Sequence, residues 1–168
     1  SEEGIKVVLG TPTAAAPKWL MDKNSEFYPK DVYGLTKGFG TRRHYCASNE
    51  VYREYSKKIA IEMAEHYKNN LNVIAWQIDN EFGTQCYCQS CHSRFKTWVK
   101  NKYGTIDKLS DECGTVFWSH TYRKFDEIII PMYSSSDGFS QNNSSTSNLL
   151  STPFNHNPGL LLDFFRFL

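Results

Sequence analysis

"NVIAWQIDNE", residues 72–81, is the stretch on which the fold turns. From Val73 to Ile78 it is almost wholly apolar and lacks the polar alternation of a half-buried strand, which predicts a parallel strand covered on both faces. An Asp-Asn-Glu triplet follows at once, so three polar groups stand at the strand's C-terminal end. Parallel α/β folds, and (β/α)8 barrels above all, gather their catalytic groups at that edge.

The flanks support a strand in that position. Upstream, Asn49 to about Lys68 carries helical periodicity: Tyr52, Tyr55, Ile59, Met63 and Tyr67 form one stripe, with Ser48 as the expected N-cap. Before it, "GIKVVLGTPT" (4–13) reads as a short buried strand ended by Gly10 and Pro12. Residues 24–47 lack periodicity and form a long loop. Downstream, a helix is expected from about Gln89 to Tyr103, with Phe95, Trp98 and Val99 facing the core and Gly104 at its end. "TIDKLSDECG" is a further short helix, and 115–131 is aromatic and irregular. Residues 133–152, dominated by Ser and Asn, read as an insertion or linker. An apolar helix then starts near Pro158. The order of strands and helices means a parallel sheet with helices outside it. Two strands do not make such a sheet, so the chain reads as a slice of something larger.

Composition narrows the function. Net charge is +1 with no basic block, which gives no electrostatic case for nucleic acid or an anionic membrane. No apolar run approaches the roughly 20 residues of a membrane span. Aromatic residues make up 15% of the chain, which suits either a large aromatic core or a cleft that stacks sugar rings. The five cysteines are odd in number and three crowd together, unlike a secreted disulfide framework. They point to metal ligation by reduced thiols inside a cell, hence a cytoplasmic setting.

Two groups of residues carry chemistry. Glu81 at a strand end could protonate a leaving-group oxygen while the Asn80 amide hydrogen-bonds a neighbouring hydroxyl, the division of labour that glycoside hydrolysis requires together with a second carboxylate. The plainer alternative is that Asp79 and Glu81 cap the next helix. Cys86, Cys88 and Cys91 form C-x-C-x2-C, and Cys46 in "RRHYC" supplies a fourth sulfur, the donor set of a tetrahedral structural zinc site. Three buried thiols or a labile disulfide is the alternative there. His44 and His92 stand near these cysteines and could replace a ligand, though a surface or outlying place suits them better. Arg42 and Arg43 are candidates for hydroxyl recognition or solvated loop charges. Trp118 in "FWSHTY" suits a stacking platform or a core, and Cys113 a buried thiol without a partner in sequence.

Taken in order, "VVLGTPTAAAPKWL", "RRHYC", "VIAWQIDNEFG", "CYCQSC", "GTVFWSHTY" and "HNPGLLLDFFRF" resemble the family 42 glycoside hydrolases, which are β-galactosidases. The likeness covers about residues 4–131 and 154–167. It implies a (β/α)8 barrel, of which strands three and four with their helices are present: 1–132 as a partial catalytic barrel and 153–168 as a further barrel helix. It implies retaining hydrolysis of terminal β-D-galactosides, with Glu81 as acid/base, Arg42 and Asn80 contacting sugar and Trp118 walling the galactose pocket. It also implies structural Zn2+ on Cys46, Cys86, Cys88 and Cys91, and a homo-oligomer, commonly a trimer. The family's nucleophile, a second Glu at the seventh strand, matches none of Glu50, Glu54, Glu62, Glu65, Glu112 or Glu127, so this chain alone is expected to be inactive. The competing class is a non-catalytic, zinc-stapled fragment.

Overall fold

The computed structural model describes residues 3–40, 42–81, 83, 85–131 and 157–168. The Ser/Asn-rich stretch 133–152 lies outside the described residues. The chain divides into two compact units, Ser1–Asp31 with Leu35–Ser90, and Val32–Gly34 with Cys91–Leu168.

In the first unit, β1 (Val7–Gly10) and β2 (Val73–Gln77) pair in parallel, with Val8 opposite Ala75 and Gly10 opposite Gln77. The ladder is closed at its two ends by Val7 N–H donating to Asn72 C=O (2.8 Å) and Thr11 N–H donating to Gln77 C=O (3.0 Å). Parallel neighbours need a long crossover, and α2 (Glu50–Tyr67) provides it. Its first turn is capped by Asn49, whose side chain accepts from Tyr52 N–H at 3.0 Å, one residue beyond the expected Ser48. The short α1 (Lys18–Met21) follows Pro17 and buries Leu20 and Met21. These join Ala16, Phe27, Tyr45 and Tyr52 in the unit's core. Of the expected α2 stripe, Tyr52 is buried, Tyr55 packs partly against that core, and Ile59 is exposed.

The expected two-sided burial of the strands is not observed. Ile74 is 63% and Ile78 74% exposed, and Val8 on β1 is 55% exposed. A parallel sheet hides its faces only when further strands and helices cover it. Among the described residues the sheet has two strands, so its apolar faces stay open.

In the second unit, α3 (Gln89–Tyr103) buries Cys91, Phe95, Val99 and Tyr103, a stripe at four-residue spacing. Trp98, expected in the core, is half-buried; its ring stacks on Phe95 at a centroid distance of 6.3 Å. After α3, α4 (Ile106–Cys113) is capped by Thr105, whose side chain accepts from Lys108 N–H. It ends at Gly114 with φ 61°, a left-handed closure that only glycine takes without strain. The last helix, α5 (Pro158–Phe167), opens with Asn157 as N-cap and Pro158 in its first turn. Phe164 meets Phe95 edge to face at 5.5 Å. The buried Asp163 accepts from Tyr103 Oη at 2.6 Å and pairs with Lys102, which ties α5 to α3.

Candidate active site and metal centre

The C-terminal end of β2 runs into a tight turn. Asp79 and Glu81 both have left-handed backbone, with φ 58° and 47°. Asp tolerates that region; Glu does so at a cost of about 1–2 kcal/mol, and such strain persists only where the surroundings impose it. Here they do. Asp79 N–H donates to Thr11 Oγ1 at 2.8 Å. Its carboxylate accepts from the Arg43 guanidinium (2.9 Å), Thr13 Oγ1 (3.1 Å), Tyr45 Oη (3.4 Å) and Asn80 N–H (2.5 Å). Thr11 and Thr13 leave the end of β1, so the ends of both strands are fastened at one residue, Asp79, whose N–H bonds Thr11 and whose carboxylate bonds Thr13.

Glu81 is held differently. Its carboxylate pairs with Arg42 Nη2 at 3.1 Å, and the two side chains are 72% and 66% exposed. Asn80, between the two acids, accepts from Gln77 Nε2 at 3.2 Å. The structure thus brings Arg42, Asn80 and Glu81 together at the C-terminal edge of the sheet. Asp79 and Glu81 do not cap the following helix, because α3 begins at Gln89, eight residues after Glu81. Trp118 belongs to the second unit, in the 3-10 turn Phe117–Ser119.

Arg43 departs from the expectation of a solvated loop charge. Its side chain is 16% exposed against 11% for Asp79, and Nη1 also donates to Tyr45 Oη at 3.0 Å. Tyr45 stacks on Tyr52 at 4.0 Å, and Tyr52 Oη donates to Thr13 C=O. Burial raises the pKa of both hydroxyls, and the neighbouring Asp79 carboxylate adds to the effect. Both therefore stay neutral donors. Sequence reading missed Thr11, Thr13, Arg43, Tyr45 and Asp79 as one network. A usable signal existed: "GTPT" ends the first strand on the same edge at which "DNE" ends the second.

The cysteine group lies beside this loop. The sulfurs of Cys46, Cys86, Cys88 and Cys91 all lie within 4.8 Å of one another, and all four residues are buried. Cys91 follows directly on the first unit's last residue, in the first turn of α3, so chain continuity keeps it near Cys88. Cys46 and Cys88 approach to 3.3 Å, far beyond the about 2.05 Å of a disulfide. Sulfurs around a tetrahedral zinc sit roughly 3.8 Å apart, given Zn–S bonds of about 2.3 Å. The donor set and its spread fit such an ion, and four sulfurs would leave it no open position. The backbone holds the group in place: Cys46 N–H donates to Phe27 C=O (2.7 Å) and Tyr87 N–H to Lys30 C=O (2.9 Å). His44 and His92 are outside the group. His44 is buried, not a surface residue, with Nε2 bonded to Ala16 C=O at 2.8 Å and its ring against Phe39. Cys113 also has a partner, Tyr103 Oη at 3.3 Å, and burial pushes its thiol pKa up.

A glycoside hydrolase family 42 model, described as β-galactosidase, matches residues 1–168. The β-galactosidase of Thermus thermophilus is 42% identical over 169 aligned positions, which cover 98% of this chain and 23% of that protein. A Halorubrum lacusprofundi β-galactosidase is 38% identical over 99% of this chain and 22% of its own length. The solved β-galactosidase of the psychrophilic Marinomonas ef1 superposes with a TM-score of 0.81 at 38% identity, over 97% of this chain and 23% of that one. The chain therefore spans less than a quarter of the length of these relatives, and it belongs to the family 42 glycoside hydrolases.

Proposed function

We propose that these residues are part of a retaining β-galactosidase and that Glu81 is its acid/base. The observation that carries this reading is the strand end itself: a carboxylate at the C-terminal edge of a parallel sheet, with an amide at Asn80 and a guanidinium at Arg42 3.1 Å away. In the first step Glu81 protonates the glycosidic oxygen as a second carboxylate attacks the anomeric carbon, and a glycosyl-enzyme forms. In the second step Glu81 takes a proton from water, which releases galactose with retained configuration. The nucleophile is the family's second Glu, at the seventh strand of the barrel; Asp79 is unsuited to that role because four donors already occupy it. Arg42 and Asn80 bind sugar hydroxyls, and Trp118 forms a wall of the galactose pocket.

β1 and β2 are strands three and four of the (β/α)8 barrel. Residues 1–132 and 153–168 belong to that barrel, with 133–152 as an insertion or linker between them. Cys46, Cys86, Cys88 and Cys91 hold zinc, which staples the 24–47 loop to the start of α3 and takes no part in the chemistry. The reduced sulfurs suit a cytoplasmic enzyme, and the assembly is a homo-oligomer, trimeric as in the family. The 168 residues alone lack half of the carboxylate pair and should turn over little or no substrate.

The test is release of nitrophenol from an aryl β-D-galactoside by the full-length gene product, its Glu81→Gln variant and the 168-residue chain. Wild-type turnover lost in the variant, with activity of a Glu81→Ala variant restored by azide and β-galactosyl azide as product, is the expected result. Unchanged turnover in Glu81→Gln would sink the assignment. Glu81-dependent turnover by the 168 residues would instead locate a second carboxylate within them.

A further inference from the structure

The two arginines and the two acids pair residue by residue. Arg43 meets Asp79 at 2.9 Å in a nearly buried pair, and Arg42 meets Glu81 at 3.1 Å in an exposed one. Because Arg42 is bonded to Arg43, and Glu81 stands two residues from Asp79, the inner pair fixes the backbones that carry the outer pair. Three of the four residues have known strain or anchoring to match. Arg43, Asp79 and Glu81 all lie at positive φ, at 59°, 58° and 47°. Arg43 N–H is held by Ala14 C=O at 3.0 Å, and Asp79 N–H by Thr11 Oγ1 at 2.8 Å. No sugar hydroxyl need reach the inner pair: Thr13, Tyr45 and the Asn80 N–H already fill the Asp79 carboxylate.

We infer that Arg43 and Asp79 are a positioning pair that sets the angle of the Glu81 carboxyl and its distance from Arg42. The inference rests on the acid/base reading of Glu81. Left-handed backbone at a Glu is a state the chain leaves when its anchor goes. Without the inner pair the turn relaxes, Glu81 swings with it, and proton delivery to the leaving group suffers while sugar binding changes less. A misplacement of about 1 Å can cost on the order of 100-fold in rate. Neither residue touches the reacting atoms, so both act through Glu81.

The experiment compares the full-length gene product with its Asp79→Asn, Arg43→Gln and doubly substituted forms on two aryl galactosides. One has a poor leaving group, methoxyphenol, which needs an acid; the other, dinitrophenol, leaves without one. Expected is a loss of about 10- to 100-fold in kcat/KM on the methoxyphenyl substrate and a much smaller loss in kcat/KM on the dinitrophenyl substrate, because kcat/KM reports the glycosylation step alone, before Glu81 serves both substrates alike as base. The double variant should be no worse than the poorer single one, since both substitutions remove the same interaction. The ratio of the two substrates is independent of the folded fraction, so partial misfolding cannot imitate the result. Equal losses on both substrates, or none, with Glu81→Gln still inactive on the methoxyphenyl substrate, overturn the positioning pair alone. Unchanged turnover in Glu81→Gln, or a wild type without turnover, overturns the acid/base reading and the pair with it.

Discussion

At the scale of single residues, what matters is how differently two adjacent arginines are used. Arg42 and Glu81 sit in solvent, where an ion pair adds only about 0–1 kcal/mol to stability. Arg43 and Asp79 are almost enclosed, and a partner removed there leaves a charge without its counter-ion. Arg42→Ala should accordingly leave the unfolding free energy unchanged within about 0.5 kcal/mol. On the reading of Arg42 as a sugar contact, the same substitution should raise KM for an aryl galactoside about 10-fold or more, the cost of losing one charged hydrogen bond. Equilibrium unfolding and steady-state kinetics on the one variant check both halves. A large stability loss would mean that Arg42 is structural, and an unchanged KM that it faces no hydroxyl.

At the scale of elements, the loop 24–47 has little regular structure to hold it. A 3-10 turn at Ser25–Phe27 and an isolated bridge from Lys30 to Thr36 are its local order. Among its anchors are Phe27 in the core, the nearly buried Arg43–Asp79 pair, and the cysteine group at its far end. Zinc should therefore stabilise the loop more than any helix. Cys46→Ser, or a strong chelator, should abolish the binding of about one zinc per chain and expose residues 24–47 to limited proteolysis. Metal analysis and mapping of the cleavage sites test this; a loop equally resistant without metal would refute the staple. The cysteines were legible in sequence because C-x-C-x2-C is local and one more cysteine remained in a nearby motif. Helices α3, α4 and α5 were legible for a similar reason: periodicity and the Gly104, Gly114 and Pro158 boundaries lie within each element. The inner pair was not. Arg43 and Asp79 are 36 residues apart, and a run "RR" in a polar loop gives no sign of which arginine turns inward. That choice is made by the left-handed turn at Arg43 and the stacked Tyr45 and Tyr52, which are tertiary facts. The open faces of β1 and β2 mark a different limit. Their apolar pattern reports the layers that cover such strands, and those layers are not among the described residues.

At the scale of the whole molecule, both units bury hydroxyls and a thiol whose neutral forms folding favours. In the first unit burial raises the pKa of Tyr45 and Tyr52 above the ordinary 10.0. In the second, burial raises Tyr103, with the Asp163 carboxylate adding to it, and lifts Cys113 above 9.0. Each is an acid that holds its proton more tightly when folded. Its stabilising contribution is therefore complete below the unfolded pKa and is lost as pH rises toward the folded one. Unfolding free energy should begin to fall near pH 9 with Cys113, and fall more steeply above pH 10 as Tyr45, Tyr52, Tyr103 and Tyr122 join. Each group adds a slope of at most about 1.4 kcal/mol per pH unit within its window. Urea unfolding at successive pH values measures the curve, and Tyr52→Phe or Tyr103→Phe should each flatten it, since phenylalanine has no proton to lose. Tyr52→Phe acts through the first unit and Tyr103→Phe through the second, so a flattening by each variant would assign the loss to both cores. A stability that rises between pH 9 and 11 would reverse the sign and show that these hydroxyls ionise more readily in the folded chain than in the unfolded one.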